Sequence, residues 1–113
     1  MVKTISRDEI KTRIEQRDGL ILVEALGPMY YEDAHLPGAR NIPHDRVDEL
    51  APILLPDKDA PIAVYCSNTP CQNSVIASKR LVELGYTDVY EYVEGKQDWI
   101  EAGLPVERGA TVG

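Results

Sequence analysis

The chain has 113 residues, of which 43% are hydrophobic and 27% charged, a composition typical of one soluble globular domain. Its formal net charge of −7 argues against nucleic acid or an anionic membrane surface as a partner, because like charges repel. The sequence contains no apolar run long enough to span a membrane and no apolar signal core, so we expect a cytoplasmic protein. In that reducing compartment the 2 cysteines should be thiols.

Helical and strand patterns alternate along the first half of the sequence. Ser6 and Glu9 have the spacing of a capping box, which predicts the start of a helix that ends near Gly19. The apolar run that follows predicts a strand covered on both faces and closed by Glu24. The other elements predicted before residue 60 are a helical turn over 29–33, a turn at Pro37-Gly38, a brief strand over 39–42 and a helix capped by Asp45 that carries Val47, Leu50, Ala51 and Leu54.

The alternation continues in the second half. An apolar run over 62–65 predicts a strand, and a helix is predicted to start at Ser74 and to end at Gly85. A last strand over 87–93 and a short helix around Trp99 complete the set. The order predicts one α/β domain over 1–113, with a mainly parallel sheet, helices on both faces, a core over about 4–106 and a tail over 107–113.

Both cysteines lie between that predicted strand and helix. Cys66 directly follows the strand, and Cys71 lies in the loop. Ligands of open α/β sheets bind beyond the carboxyl ends of the strands, and the N–H groups and dipole of a helix N-terminus stabilise a thiolate. We therefore expect Cys66 to be a reactive thiol of lowered pKa, supported by Cys71. The loop residues expected to bind a substrate are Ser67, Asn68, Thr69, Gln72, Asn73 and Ser74.

Simpler interpretations stand beside this one. Cys66 would also fit a small buried apolar residue, since free cysteine is often buried. His35 is expected to be a structural group rather than a base, and His44 to lie on the surface. The two histidines and two cysteines are ligand types for zinc, but their spacing is unusual, so we predict no metal and no cofactor.

Several motifs resemble those of rhodanese-like domains. The segment His35-Leu36-Pro37-Gly38-Ala39-Arg40-Asn41-Ile42-Pro43 is similar to the signature of that family. The strand end Val64-Tyr65-Cys66, the segment 81–86, and Glu94-Gly95-Lys96-Gln97-Asp98-Trp99 with 102–105 agree with it. The resemblance implies a five-stranded parallel sheet and a persulfide on Cys66, which would take sulfane sulfur from a donor and pass it to a nucleophile.

The cysteine loop departs from the family pattern. From Cys66 to Ser74 it is about two residues longer and contains neither arginine nor glycine, so an oxyanion would lack a bidentate partner. Leu26 stands where the family has an arginine after the strand that ends at Glu24, and Ala34 stands where it has a glycine.

Three functions remain open from the sequence. The favoured one is a sulfurtransferase or persulfide carrier acting through Cys66, with a small sulfur donor or a persulfidated protein as partner and a thiol protein as a further candidate acceptor. The second is a dithiol redox protein that uses Cys66 and Cys71. The third is a binding module without catalysis. An arginine-dependent phosphatase is disfavoured, because the loop offers no cation to a phosphate-like dianion.

Overall fold

The elements of the fold follow the predicted alternation closely. The computed structural model describes residues 2–109. In chain order its elements are β1 (Lys3–Thr4), α1 (Arg7–Gln16), β2 (Ile21–Glu24), α2 (Pro28–Asp33), β3 (Arg40–Asn41), α3 (Val47–Leu54), β4 (Ile62–Tyr65), α4 (Asn73–Glu83), β5 (Val89–Tyr92) and α5 (Gly95–Glu101). Among these residues no helix is long and apolar enough to cross a membrane.

The described strands form one parallel sheet in the order β1-β5-β4-β2-β3. The α/β class and the five-stranded parallel sheet are therefore confirmed. Strand β4 lies at the centre, between β2 and β5, with Val64 paired to Val23 on one side and to Glu91 on the other. The residue after β4 consequently emerges at the middle of the carboxyl edge, where ligands of such sheets bind.

The sheet is covered on both faces, and successive residues of β4 alternate between the two cores because side chains of a strand alternate in direction. Ile62 and Val64 pack in one cluster with Ala77 and Leu81 of α4. Ala63 and Tyr65 pack in the other, which contains Ile10 of α1 and Trp99 of α5. The uninterrupted burial of β4 explains why its sequence shows no polar alternation.

Some predicted boundaries are correct and others are wrong. The capping box of Ser6 and Glu9 is confirmed, with Glu9 N–H donating to Ser6 Oγ at 3.1 Å and Glu9 Oε1 accepting from Ser6 N–H at 3.2 Å. The residue that caps the end of α1 is Arg17, with φ 52°, shortly before the predicted Gly19, which also has a positive φ, of 92°. Asp45 does not cap α3, because the cap position is Arg46 and no side chain bonds there.

The C-terminal boundary also differs from the predicted one. The sequence predicts a tail from residue 107, but Glu107 forms an antiparallel bridge with His35, and Gly109 N–H donates to Glu32 O at 2.7 Å. This segment therefore packs against α2 and the residues that follow it. The rest of the predicted tail, 110–113, and residue 1 lie outside the described residues.

Candidate active site

Cys66 follows β4 directly and lies at the carboxyl edge of the sheet, as predicted. Its exposed fraction is 1%. Two hydrogen bonds hold the start of its loop against α5, from Lys96 N–H to Cys66 O and from Gln97 N–H to Ser67 O, each 2.8 Å long. The backbone that carries the thiol is thus fixed by a helix some thirty residues further along the chain.

Gly95 permits this close approach of α5 to the cysteine loop. Its φ is +74°, in the left-handed region, and a Cβ there would lie 2.7 Å from Cys66 O and 3.0 Å from Asn68 N. Side chains with a Cβ are strained at this φ, and the neighbouring atoms belong to the backbone, so glycine is needed for both reasons.

Ser74 is the loop residue that contacts the Cys66 thiol. Cys66 Sγ lies 3.4 Å from Ser74 Oγ, and the Ser74 N–H also faces the sulfur. Helix α4 begins at Asn73, one residue before the predicted start, so Ser74 lies in its first turn, where backbone N–H groups are free of helical partners. The predicted meeting of Cys66 with this helix N-terminus is confirmed.

The predicted lowering of the Cys66 pKa is wrong. Burial, which disfavours the charged thiolate, raises the pKa of Cys66, and a hydrogen bond with Cys71 raises it further, whereas the hydroxyl and N–H of Ser74 only partly compensate. Burial also acts on Cys71, which is half-buried, but hydrogen bonds from Cys66, Asn73 N–H and Ser67 outweigh it and lower the Cys71 pKa. Cys71 is therefore the thiol that ionises first.

The other predicted substrate-binding residues fall into three groups. Ser67 and Asn73 are half-buried and bond to Cys71. Asn68 forms the turn that Cys71 N–H closes at 3.1 Å, and its side chain lies 3.3 Å from Gln97 Oε1. Thr69 and Gln72 are exposed on the outside of the loop.

Sequence reasoning missed Glu91 on β5, which completes a hydrogen-bonded chain to the thiol. Ser74 Oγ donates to Glu91 Oε2 at 2.8 Å. Glu91 lies two residues after the buried Val89, so strand alternation places it on the same covered face. A carboxylate on that face was the signal that would have identified it.

A second buried carboxylate, Glu24, is fully enclosed at the end of β2. Lys96 Nζ lies 3.0 Å from Glu24 Oε2, and Tyr65 Oη donates to Glu24 Oε1 at 2.8 Å. The Lys96 ammonium also donates to the carbonyls of Tyr30 and Ala34, at 2.9 and 2.7 Å. Burial raises the pKa of Glu24, with Lys96 and then Tyr65 opposing it. This cluster joins β2, α2 and α5 beneath the cysteine loop.

The histidines take different places. His35 is buried, with Nδ1 2.8 Å from Tyr31 O and its ring stacked on that of Tyr31 at 3.8 Å, which agrees with the predicted structural role. His44 is partly exposed and lines a surface groove between α3 and α4. Within residues 2–109, no group of three His, Cys, Asp or Glu side chains is placed to hold a metal.

A free thiol at the carboxyl edge of a parallel, doubly covered sheet, seated against a helix N-terminus, defines the class of site. Comparison with known families then agrees with the motifs of the sequence. The family model described as Rhodanese-like domain matches residues 6–102. The chain belongs to the rhodanese-like domain family.

The relatives differ in how much of each is matched. An HTH-type transcriptional regulator of Mycobacterium tuberculosis is 33% identical over 109 residues, 96% of this chain but only 46% of that protein. The thiosulfate sulfurtransferase GlpE of Coxiella burnetii is 28% identical over 99 residues, 88% of each protein. The crystal structure of a thiosulfate sulfurtransferase from Pseudomonas aeruginosa matches with a TM-score of 0.86 and 27% identity, over 96% of this chain and 20% of that one. Sulfur transfer is thus supported at the level of the family.

Proposed function

We propose that this chain is a sulfurtransferase or persulfide carrier in which Cys66 carries the transferred sulfur. The observation that supports it most directly is the position of the thiol, which lies at the end of the central strand and 3.4 Å from the hydroxyl of Ser74 in the first turn of α4. A developing negative charge on sulfur at this point meets a hydroxyl and a backbone N–H.

The reaction needs no external oxidant. The Cys66 thiolate attacks the sulfane sulfur of a donor R–S–SH, a new S–S bond forms, the donor S–S bond breaks, and R–S⁻ leaves and takes up a proton. The products are the Cys66 persulfide and R–SH. An acceptor thiol then attacks the outer sulfur and leaves Cys66 as a thiol.

A dithiol route is the second candidate, and the hydrogen bond between Cys66 and Cys71 favours it. Because Cys71 ionises first, its thiolate can attack the inner sulfur of the Cys66 persulfide. A Cys66–Cys71 disulfide forms, and the outer sulfur leaves as hydrogen sulfide after protonation. This step would give the second cysteine of the loop a role in releasing sulfur.

Intact-mass spectrometry after incubation with glutathione persulfide tests the proposal. We expect the wild type and Cys71→Ser to gain the mass of one sulfur atom, and Cys66→Ser to gain none, because Cys66 is the thiol at the end of the central strand and in contact with Ser74. A loss of two hydrogens in the wild type that is absent from both serine variants would support the dithiol route. Loading that survives Cys66→Ser and fails in Cys71→Ser would reverse the roles, and no change in any of the three would favour a binding module.

We also propose that persulfides are better donors than thiosulfate. The loop 66–74 contains no arginine or lysine, and the net charge of −7 repels a dianion. The nearby ammonium of Lys96 is already bound to Glu24 and to two carbonyls. A missing charge-assisted contact costs about 2 kcal/mol, or roughly 30-fold in affinity.

Single-turnover loading measures this preference. We expect loading from thiosulfate to be slow and to speed up with salt, which screens the repulsion, while loading from glutathione persulfide changes little. Gln72→Arg, which adds a cation to an exposed loop position, should raise the thiosulfate rate about 10-fold or more, and the matched Gln72→Glu should lower it. A fast rate of loading from thiosulfate that changes neither with salt nor with either substitution at Gln72 would contradict this preference.

A further inference from the structure

Three groups form a continuous hydrogen-bonded chain from the cysteine to a carboxylate. Cys66 Sγ lies 3.4 Å from Ser74 Oγ, which lies 2.8 Å from Glu91 Oε2. The three residues come from the end of β4, the first turn of α4 and the middle of β5. Cys66 and Ser74 each have an exposed fraction of 1%, so water has little access to the link between them.

The number of protons on these three groups determines which group donates and which accepts in each hydrogen bond. Ser74 has one hydroxyl proton, which it donates to the carboxylate of Glu91. Its oxygen is then left to accept the S–H of Cys66 when that single proton is turned from Cys71 toward Ser74. The resting arrangement therefore joins the thiol of Cys66 to an accepting oxygen of Glu91 through one hydroxyl.

We propose that Glu91 takes up the proton of Cys66 through the hydroxyl of Ser74 as the sulfur attacks its donor. The S–H bond breaks as its proton passes to Ser74 Oγ, and the hydroxyl proton of Ser74 passes to Glu91 Oε2. Afterwards the protonated carboxyl donates to Ser74, and Ser74 donates to the developing thiolate. Proton number is conserved, and Glu91 acts through Ser74 as a positioning residue. The role in sulfur transfer rests on the proposed function.

The surroundings of Cys66 explain why its thiol needs a proton acceptor. Burial opposes ionisation of the thiol, and the cysteine loop carries no cation that would favour it. Neither histidine serves as a base there, since His35 is bound to Tyr31 and His44 lines the groove between α3 and α4. Within residues 2–109, Glu91 is the carboxylate that reaches Cys66 through hydrogen bonds.

The other titratable groups on the adjoining elements are either paired with other residues or lie away from the link between Cys66 and Glu91. Cys71 faces Cys66 from the loop itself. On β1 and before β5, Lys3 and Asp88 are paired at 2.8 Å. The cations of α4 lie toward its outer face and its end, where Lys79 and Arg80 line the groove and Arg80 binds Asp48 and Glu83. On the opposite face of the sheet, Tyr65 and Lys96 each bond to Glu24.

The test is the pH profile of single-turnover loading from glutathione persulfide in a Cys71→Ser background. With Glu91 present, we expect a rate that is independent of pH around neutrality, because the relay removes the thiol proton without hydroxide. With Glu91→Gln, which keeps the side-chain shape, we expect a loss of about 100-fold near pH 7, a rate that rises tenfold per pH unit, and convergence with the unsubstituted profile about two pH units higher, once hydroxide removes the thiol proton without the relay.

Two further comparisons separate a relay from a structural contact. Ser74→Ala should show the same deficit, and Ser74→Ala/Glu91→Gln should be no slower than either single variant, because both changes break one chain. Glu94→Gln removes the same charge from an exposed position three residues away and should leave the profile unchanged. A deficit of equal size at every pH, or an unaltered profile in Glu91→Gln, would overturn the proposal.

Alkylation of Cys66 by iodoacetamide in the same variants distinguishes failure of this inference from failure of the proposed function. The reagent reports the proton chemistry of the thiol whether or not the protein transfers sulfur. A pH profile of alkylation that flattens only when Glu91 is present would support the relay even if no sulfur is loaded. Identical alkylation profiles with normal sulfur loading would reject the relay and leave the proposed function standing.

Discussion

Lys96→Met should lower the free energy of unfolding by about 3–5 kcal/mol, the cost of removing one partner from a buried ion pair. The methionine cannot replace the three contacts of the ammonium with Glu24, Tyr30 O and Ala34 O. It would leave the carboxylate of Glu24 enclosed with only the hydroxyl of Tyr65 as a described partner. Urea unfolding followed by circular dichroism measures the change.

The same variant should also acquire a pH dependence. Burial already raises the pKa of Glu24, and without Lys96 that rise would no longer be opposed by a positive charge. The folded state then binds more protons than the unfolded state, so the free energy of unfolding falls as pH increases through the raised pKa. We expect the deficit of Lys96→Met to be smaller near pH 5 than near pH 8.

Two control variants test whether the loss of stability comes from the buried charge of Glu24. Lys11→Met removes a half-exposed lysine whose ion pair with Glu15 is 3.8 Å long, and should change stability by no more than about 0.5 kcal/mol. Adding Glu24→Gln to Lys96→Met should recover part of the loss, because the buried charge is gone while an oxygen remains for Tyr65. A small deficit in Lys96→Met that does not vary with pH would mean that the ion pair contributes little.

Gly95→Ala should disable the cysteine loop. The added Cβ would approach three backbone atoms of residues 66–68 to between 2.7 and 3.0 Å, and the φ of +74° costs an alanine about 1–3 kcal/mol in addition. Because the contacts are with backbone, the loop must shift as a whole. A displacement of about 1 Å at a reacting group can cost on the order of 100-fold in rate, so we expect sulfur loading to fall by that order.

Gly103→Ala is the matched control for this substitution. Gly103 has a φ of +76°, but an added Cβ there would meet nothing within 4 Å. Both variants should therefore lose similar stability from backbone strain, while only Gly95→Ala loses sulfur loading. Equal loading rates in the two variants would show that the contact of α5 with the cysteine loop does not position Cys66.

The main architecture and the location of the site follow from local patterns. The apolar run before Cys66 and the helical spacing after Ser74 were sufficient to place the thiol between β4 and α4, because strand and helix periodicity reflect which faces are buried. The His35–Pro43 segment and the motif that contains Trp99 were sufficient to indicate the family, because each motif is a short contiguous stretch of sequence. The boundary that failed after Val106 depends on a contact that is not local, the bridge between Glu107 and His35.

The electrostatics of the site depend on the tertiary structure alone. A helix N-terminus beside Cys66 predicted a lowered pKa, but the extent to which α4, α5 and the loop exclude water from the thiol reverses the direction. The same holds for Glu91 with Ser74 and for Glu24 with Lys96, pairs that are 17 and 72 residues apart in the chain. Burial and hydrogen bonding act through space, so the protonation of these groups is set by packing between elements, whereas their presence in strands and helices is set by neighbouring residues.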